Sequence, residues 1–254
     1  MIYDLQRASV LKRISAFIFD MILLAILAVG VAFLLSSALG YDAQTEKLDA
    51  VYKSYEEQFS VSFDISAEDY AALSEDEKQV YEGAFAALSA DGEASYVYTL
   101  IINLTMIILT FSILISYLLL EFTVPLLFGN GQTLGKKIFG IGVMRTDGVR
   151  LRAPQLFIRT VLGKFTVETM IPVFLIVLVY FGAMGVIATA VIAVIAITQL
   201  VLLFATKTRS QIHDLISATV TVDMASQLIF ETADDLIEYK KKLQKEQADK
   251  AEYR

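Results

Sequence analysis

The chain has no cysteine, which excludes disulfides, thiol catalysis and any Cys-based metal site. It has one histidine, His213, so an H-E-x-x-H zinc site and any cluster of several histidines are excluded as well. Three prolines and thirteen glycines are too few for a fibrous or disordered chain. Charge is also scarce: 19% of the 254 residues are Asp, Glu, Lys or Arg, against about a quarter in a soluble domain. Apolar residues take its place, at 56% of the chain with a mean hydropathy of +0.59. Water does not solvate that much apolar surface on a compact body, so the chain reads as an integral membrane protein.

The first long apolar run is Ile14 to Leu39, 26 residues interrupted by the single charge of Asp20. That exceeds the ~20 residues needed to cross the hydrocarbon core and is too long for the apolar part of a signal peptide, so it reads as a retained membrane helix. A second run covers Val97 to Leu120, with Glu121 at its end and Pro125 beyond. Residues 165–205 are about two spans long. Gly182 and Gly185 flank Ala183-Met184 near the middle, which suggests a helical hairpin with arms from Phe165 to Phe181 and from Met184 to Phe204.

The charge distribution tests that division. Arg7, Lys12 and Arg13 precede the first span, seven Lys or Arg lie between residues 121 and 164, and eight follow residue 205. Between residues 41 and 96 there are three lysines against fourteen Asp and Glu, so this loop nets -11 and the rest of the chain +4. Cytoplasmic segments are rich in Lys and Arg. Both ends and the second loop are therefore expected inside, the acidic loop outside, and the number of spans even: four rather than three.

Outside the bilayer the acidic loop reads as two amphipathic helices. Thr45 is positioned to cap one that aligns Leu48, Val51, Tyr52, Tyr55 and Phe59, and Ser74-Glu75-Asp76-Glu77 is a capping box for the next, ended by Asp91-Gly92. The loop reads first as a solvated cap; a vestibule that attracts cations would use the same charge. The inner stretch Gly129-Asn-Gly-Gln-Thr-Leu-Gly-Lys-Lys137 fails the phosphate-loop pattern, with Asn130 at the first glycine and Lys137 where Ser or Thr belongs, and a nucleotide site is rejected. Thr146-Asp147-Gly148 between Ile138–Arg145 and Val149–Arg152 is a turn signal for a short β-hairpin. Arg150 and Arg152 beside it mark topology or meet lipid headgroups. Residues 227–254 read as a charged helix with a partial apolar stripe, either solvated or docked on the inner loop or a partner.

An ionised side chain within a span costs roughly 2.5–3.5 kcal/mol on insertion scales, so Asp20 is the first residue to explain. It lies seven residues after Arg13, two turns and ~10 Å along one helix face. That is too far for a tight direct pair, so a third group is expected to bridge them. Glu121, Glu168, Ser112 and Ser116 fall at the same end of their spans. Such a cluster is either an ion or proton site or a structural network that locks the bundle. His213 reads first as a hydrogen-bonded interface residue beside Asp214; its ordinary titration near neutrality leaves pH sensing open.

Arg13 at the mouth of the first span and Asp20 within it resemble the RDD family of membrane proteins, named for one arginine and two aspartates. Gly131-Gln-Thr-Leu-Gly-Lys136, then Ile138-Phe-Gly-Ile-Gly-Val143 and Asp147-Gly148, are similar to its inner loop. Glu121 is similar to the acidic residue before that loop and Arg159 to a basic residue after it. His213-Asp214 followed by Ala218-Thr219-Val220 resembles the closing motif, and the resemblance makes Asp214 the second aspartate. The likeness covers residues 7–40, 98–164 and 205–222; the acidic loop and the tail lie outside it. It implies transport of an unidentified ligand.

The expected fold is an all-α membrane protein with four transmembrane helices, an extracytoplasmic helical loop and a short cytoplasmic β-hairpin. Its divisions are 1–40, the acidic loop 41–96, the span 97–121, the basic loop 122–164, the hairpin 165–205 and the tail 206–254. The expected site is Arg13, Asp20, Glu121, His213 and Asp214, with Ser116, Arg159 and Glu168 as secondary members. The expected role is ion-coupled or small-solute transport in the cell membrane; the alternative is a non-catalytic scaffold or accessory subunit that binds a membrane or cytoplasmic protein. Four spans are few for a solitary transporter, so transport implies a homo-oligomer. No enzyme motif, cofactor, metal or nucleic-acid partner is expected beside the lipid bilayer.

Overall fold

The computed structural model describes residues 5–182 and 185–252. Among the described residues four helical stretches are long and apolar enough to cross a membrane: Val10–Leu39, Gly92–Phe128, Ala153–Tyr180 and Gly185–Ala205. The turn expected at Ala183-Met184 lies outside the described residues. The chain forms two compact units, one of residues 1–28 and 113–254 and one of residues 29–112.

In the smaller unit, the first long helix, α1 (Val10–Leu39), ends at Gly40, whose φ of 67° lets α2 (Tyr41–Phe59) begin at once. Thr45 does not cap α2. It sits inside the helix and donates to Tyr41 O at 2.9 Å, because the helix starts five residues earlier than expected. The loop holds three helices rather than two. α3 (Ala67–Ala72) and α4 (Glu75–Ala90) each open on a complete capping box, Ser66 with Asp69 and Ser74 with Glu77. α2 and α4 pack together, and the Phe63 ring meets Tyr52, Tyr81 and Phe85 edge-on. Asp91 follows α4 and its Oδ1 accepts from the N–H groups of Glu93 and Ala94, which starts α5 (Gly92–Tyr117).

In the larger unit the second membrane helix continues from α5 through a π-helical turn, Leu118–Thr123, into α6 (Val124–Phe128). Pro125 has no N–H to offer the carbonyl four residues back, that of Glu121. Thr160 donates to this carbonyl at 2.9 Å from the third membrane helix. After the short α7 (Leu134–Ile138) comes β1 (Ile141–Arg145). The third membrane helix opens at Ala153, not Phe165, and runs as α8 (Ala153–Phe157), a second π-helix (Ile158–Met170) and α9 (Ile171–Tyr180). Pro154 in the first turn explains the early start, and Pro172 stands just past the end of the π register. α10 (Gly185–Ala205), α11 (Ile212–Ile216), β2 (Thr219–Asp223) and α12 (Ala233–Glu252) complete the chain.

The expected hairpin forms only in part. The turn is present, with Arg145 N donating to Val149 O at 2.9 Å and an isolated bridge from Met144 to Arg150. The five-residue partner of β1, however, is β2, antiparallel from Ile141 opposite Asp223 to Arg145 opposite Thr219. A further bridge joins Arg7 to Val222. Met144, Val220 and Val222 are fully buried under Leu5 and Ile229, so both the N-terminal segment and residues 227–231 cover this sheet. Those tail residues are not helical; the helix starts at Ala233 after the Thr232–Asp235 cap. The membrane helices present their apolar side chains outward, as with Phe33 at 74% and Val186 at 87% exposed.

Candidate functional site

A cavity of about 440 Å³ lies in the larger unit, walled by α1, the end of α5, the second π-helix and α10, with α7, α11 and β2 at its floor. Arg13, Asp20, Glu121, Arg159, Glu168 and His213 of the expected site all line it, and so do Lys136 and Lys164. Asp214 lies behind this wall, 1% exposed. Ser116 is buried on α5 and is not part of the cavity lining.

Helix geometry brings these groups together. A π-helix advances its face every four to five residues, so Arg159, Lys164 and Glu168 turn to one side. Arg159 donates to both Asp214 Oδ1 and Thr219 Oγ1, the latter at 2.6 Å. Lys164 Nζ lies 2.5 Å from Glu121 Oε2 and Lys136 Nζ 3.9 Å from the same atom. Glu168 is bound by the His213 main-chain N–H at 2.9 Å and its ring Nδ1 at 2.8 Å. Gly163 permits the approach of α11, because a Cβ there would stand 2.5 Å from His213 Cβ.

Arg13 and Asp20 are not paired with each other. Arg13 donates to two main-chain carbonyls, of Arg209 and of Thr221, the second at 2.8 Å. Asp20 accepts from the Thr133 hydroxyl and from Gly135 N–H at 2.8 Å, at the start of α7. The glycine is needed there, since a Cβ at residue 135 would meet Ala16 O at 2.5 Å. The loop that fails as a phosphate loop thus holds a carboxylate of the chain itself. The expected bridging group is not found among the described residues: Arg13 and Asp20 have separate partners and share only the cavity that both line.

Desolvation lowers Lys136 from 10.5 to about 7, helped by Lys164 and Arg159 and opposed by Glu121 and Asp20. Burial also lowers His213, which favours the neutral ring, and Arg159 adds to this against the pull of Asp214 and Glu168. Asp214 is held well below the usual carboxylate range; desolvation, the largest single effect, opposes this, and Arg159, His213 and Arg13 with the Arg159 hydrogen bond together outweigh it. Among the described residues no group of three or more His, Asp or Glu is arranged to hold a metal ion.

Lys136, Lys164, Thr133 and Gly135 were missed from the sequence as site members. Charge balance is the signal that points to them: Asp20, Glu121, Glu168 and Asp214 need more cations than Arg13 and Arg159, and in the sequence the two lysines read as topology markers. No curated protein and no solved structure matches the chain. Residues 7–218, most of the chain and every charged residue of this cluster, match the RDD family model, and the chain belongs to the RDD family.

Proposed function

We propose that this RDD family membrane protein moves an ion or small solute across the cell membrane through the cavity beside Asp20. The observation that carries this reading is a space of about 440 Å³, lined by charged side chains from three membrane helices. Charged groups kept within spans mark substrate or ion paths by default, because each is costly to insert. Asp20 is the coupling carboxylate, which takes a proton or cation in turnover. Arg13, Glu121, Glu168 and His213 shape its field, and Arg159 with Asp214 holds the floor. The chemistry is transport rather than catalysis, and the working unit is a homo-oligomer. Both ends are cytoplasmic. The basic inner segments support this, and so does the sheet, since Arg7, β1 and β2 must share one side of the membrane to pair.

The test is Asp20→Asn, assayed for thermal stability and, in vesicles with proton- and potential-sensitive dyes, for flux. The amide oxygen still accepts from Gly135 N–H and the Thr133 hydroxyl reverses to accept from the amide, so the fold is expected to survive. Flux is expected to fall tenfold or more, about 1.4 kcal/mol at the limiting step. A destabilised variant whose folded fraction transports normally would end the role of Asp20. A scaffold reading is favoured by one feature, the outward apolar stripe of α12, where Ile237 is 49% exposed.

A further inference from the structure

The cavity differs along its length. Arg13, Arg159 and Thr221 lie at the sheet end. Eleven residues further along α1, ~16 Å at the helical rise, stands Leu24, and Pro172 and Ile192 add further apolar lining. A bare ion needs neither this volume nor an apolar half, whereas pockets of roughly 300–1,000 Å³ suit organic molecules.

The hydrogen-bonding inventory at the polar end is one-sided. Its carboxylates are all engaged: Asp20 by Thr133 and Gly135, Glu121 by Lys164, Glu168 by His213, and Asp214 by Arg159. Donors are left over. Lys136 lines the cavity and its Nζ comes no closer than 3.9 Å to a carboxylate oxygen already taken by Lys164, while Arg13, also in the lining, donates among the described residues only to the main-chain carbonyls of Arg209 and Thr221. A buried donor without a partner is costly, so this end calls for acceptor oxygens.

We propose that the cavity takes an amphiphilic acid, with its anionic head on the Arg13 and Lys136 side and a short apolar chain against α1 and α10. This rests on the transport reading and names its substrate class. The head belongs either to a free small acid or to an anionic lipid. Lys136 faces Asp20, Glu121, Lys164 and Arg159, and an arriving anion favours its protonated form, so binding near neutral pH draws in a proton.

The full chain, purified in nonionic detergent, is titrated with octanoate, octanol and octylammonium by calorimetry in buffers of differing ionisation heat. Octanoate is expected to bind at least tenfold more tightly than either competitor and to take up a fraction of a proton at pH 7. Arg13→Gln is expected to weaken octanoate tenfold or more. If that variant fails to fold, Ile195→Trp, which fills the apolar half, is expected to do the same. In bilayer nanodiscs, loss of octanoate binding with phosphatidylglycerol but not with phosphatidylcholine assigns the head to a lipid; equal binding in both assigns it to a free acid. Octanol or octylammonium binding as tightly as octanoate, no octanoate binding to folded protein, or unchanged affinity in both variants would overturn the proposal. Ion flux without octanoate binding sinks this inference alone. Octanoate binding without flux of octanoate or ions sinks only transport.

Discussion

Lys136 is a lysine set where its charge is hardest to keep, 8% exposed and beside a second lysine. Its pKa is about 7 in the fold against an ordinary 10.5, so between those values the unfolded chain holds more protons than the folded one. Stability from this residue therefore rises with pH across that window, while below about 7 the full cost of the buried charge is borne. Lys136→Met should raise stability at pH 6 by up to a few kcal/mol, at ~1.4 kcal/mol per unit, and flatten the rise from pH 7 to 10 in thermal melts. A parallel melt series that keeps its slope would reject this. Asp214 acts at the acid end: its lowered pKa contributes stability above the usual carboxylate range that is lost as pH falls below it. Its pairing with Arg159 is buried on both sides, 1% and 3% exposed. Arg159→Met alone should cost ~3–5 kcal/mol because it strands a buried carboxylate. Adding Asp214→Leu should recover much of that loss, which a double-mutant cycle measures directly.

At the scale of elements, the second π-helix and α11 meet through Gly163. Gly163→Ala would drive a methyl to 2.5 Å from His213 Cβ and 2.8 Å from its Cα. The backbone of α11 has to shift, so a loss of ~1–3 kcal/mol and a weakened Glu168–His213 contact are expected, read as a lower Tm and a changed His213 ring resonance. The sequence revealed what is local. Apolar length located the spans, and Ser74 with Glu77 located the start of α4, because hydropathy and capping are written within a few residues. The π register was not legible, since nothing short-range separates it from α-helix except the prolines that bracket it. Arg159 and Lys164 read as loop residues because charge implied water, while their partners Asp214 and Glu121 lie 55 and 43 residues away. The turn at 146–148 was legible, but not that β1 would choose β2, a pairing decided by which apolar strand arrives to bury Met144, here through Val220 and Val222.

At the scale of the whole molecule, α12 is largely exposed, and it follows the residues that cover the sheet. A chain ended after Thr232 should keep its melting temperature within a degree or two and its vesicle flux; loss of flux without loss of fold would make α12 a docking arm. A reporter fused after Arg254 should be active only in the cytoplasm, and activity on the other face would sink the orientation. The sheet also sets a schedule. Lys12 and Arg13 wait more than 200 residues for their partners Asp223 and Thr221, and β1 leaves the ribosome long before β2. Until residue 223 is made, the early helices sit in the bilayer with charges unmet, so the bundle can lock only after its last span is in place. A ribosome that stalls after α10 leaves a protein in which Arg13 and Arg159 still lack Thr221 and Asp214.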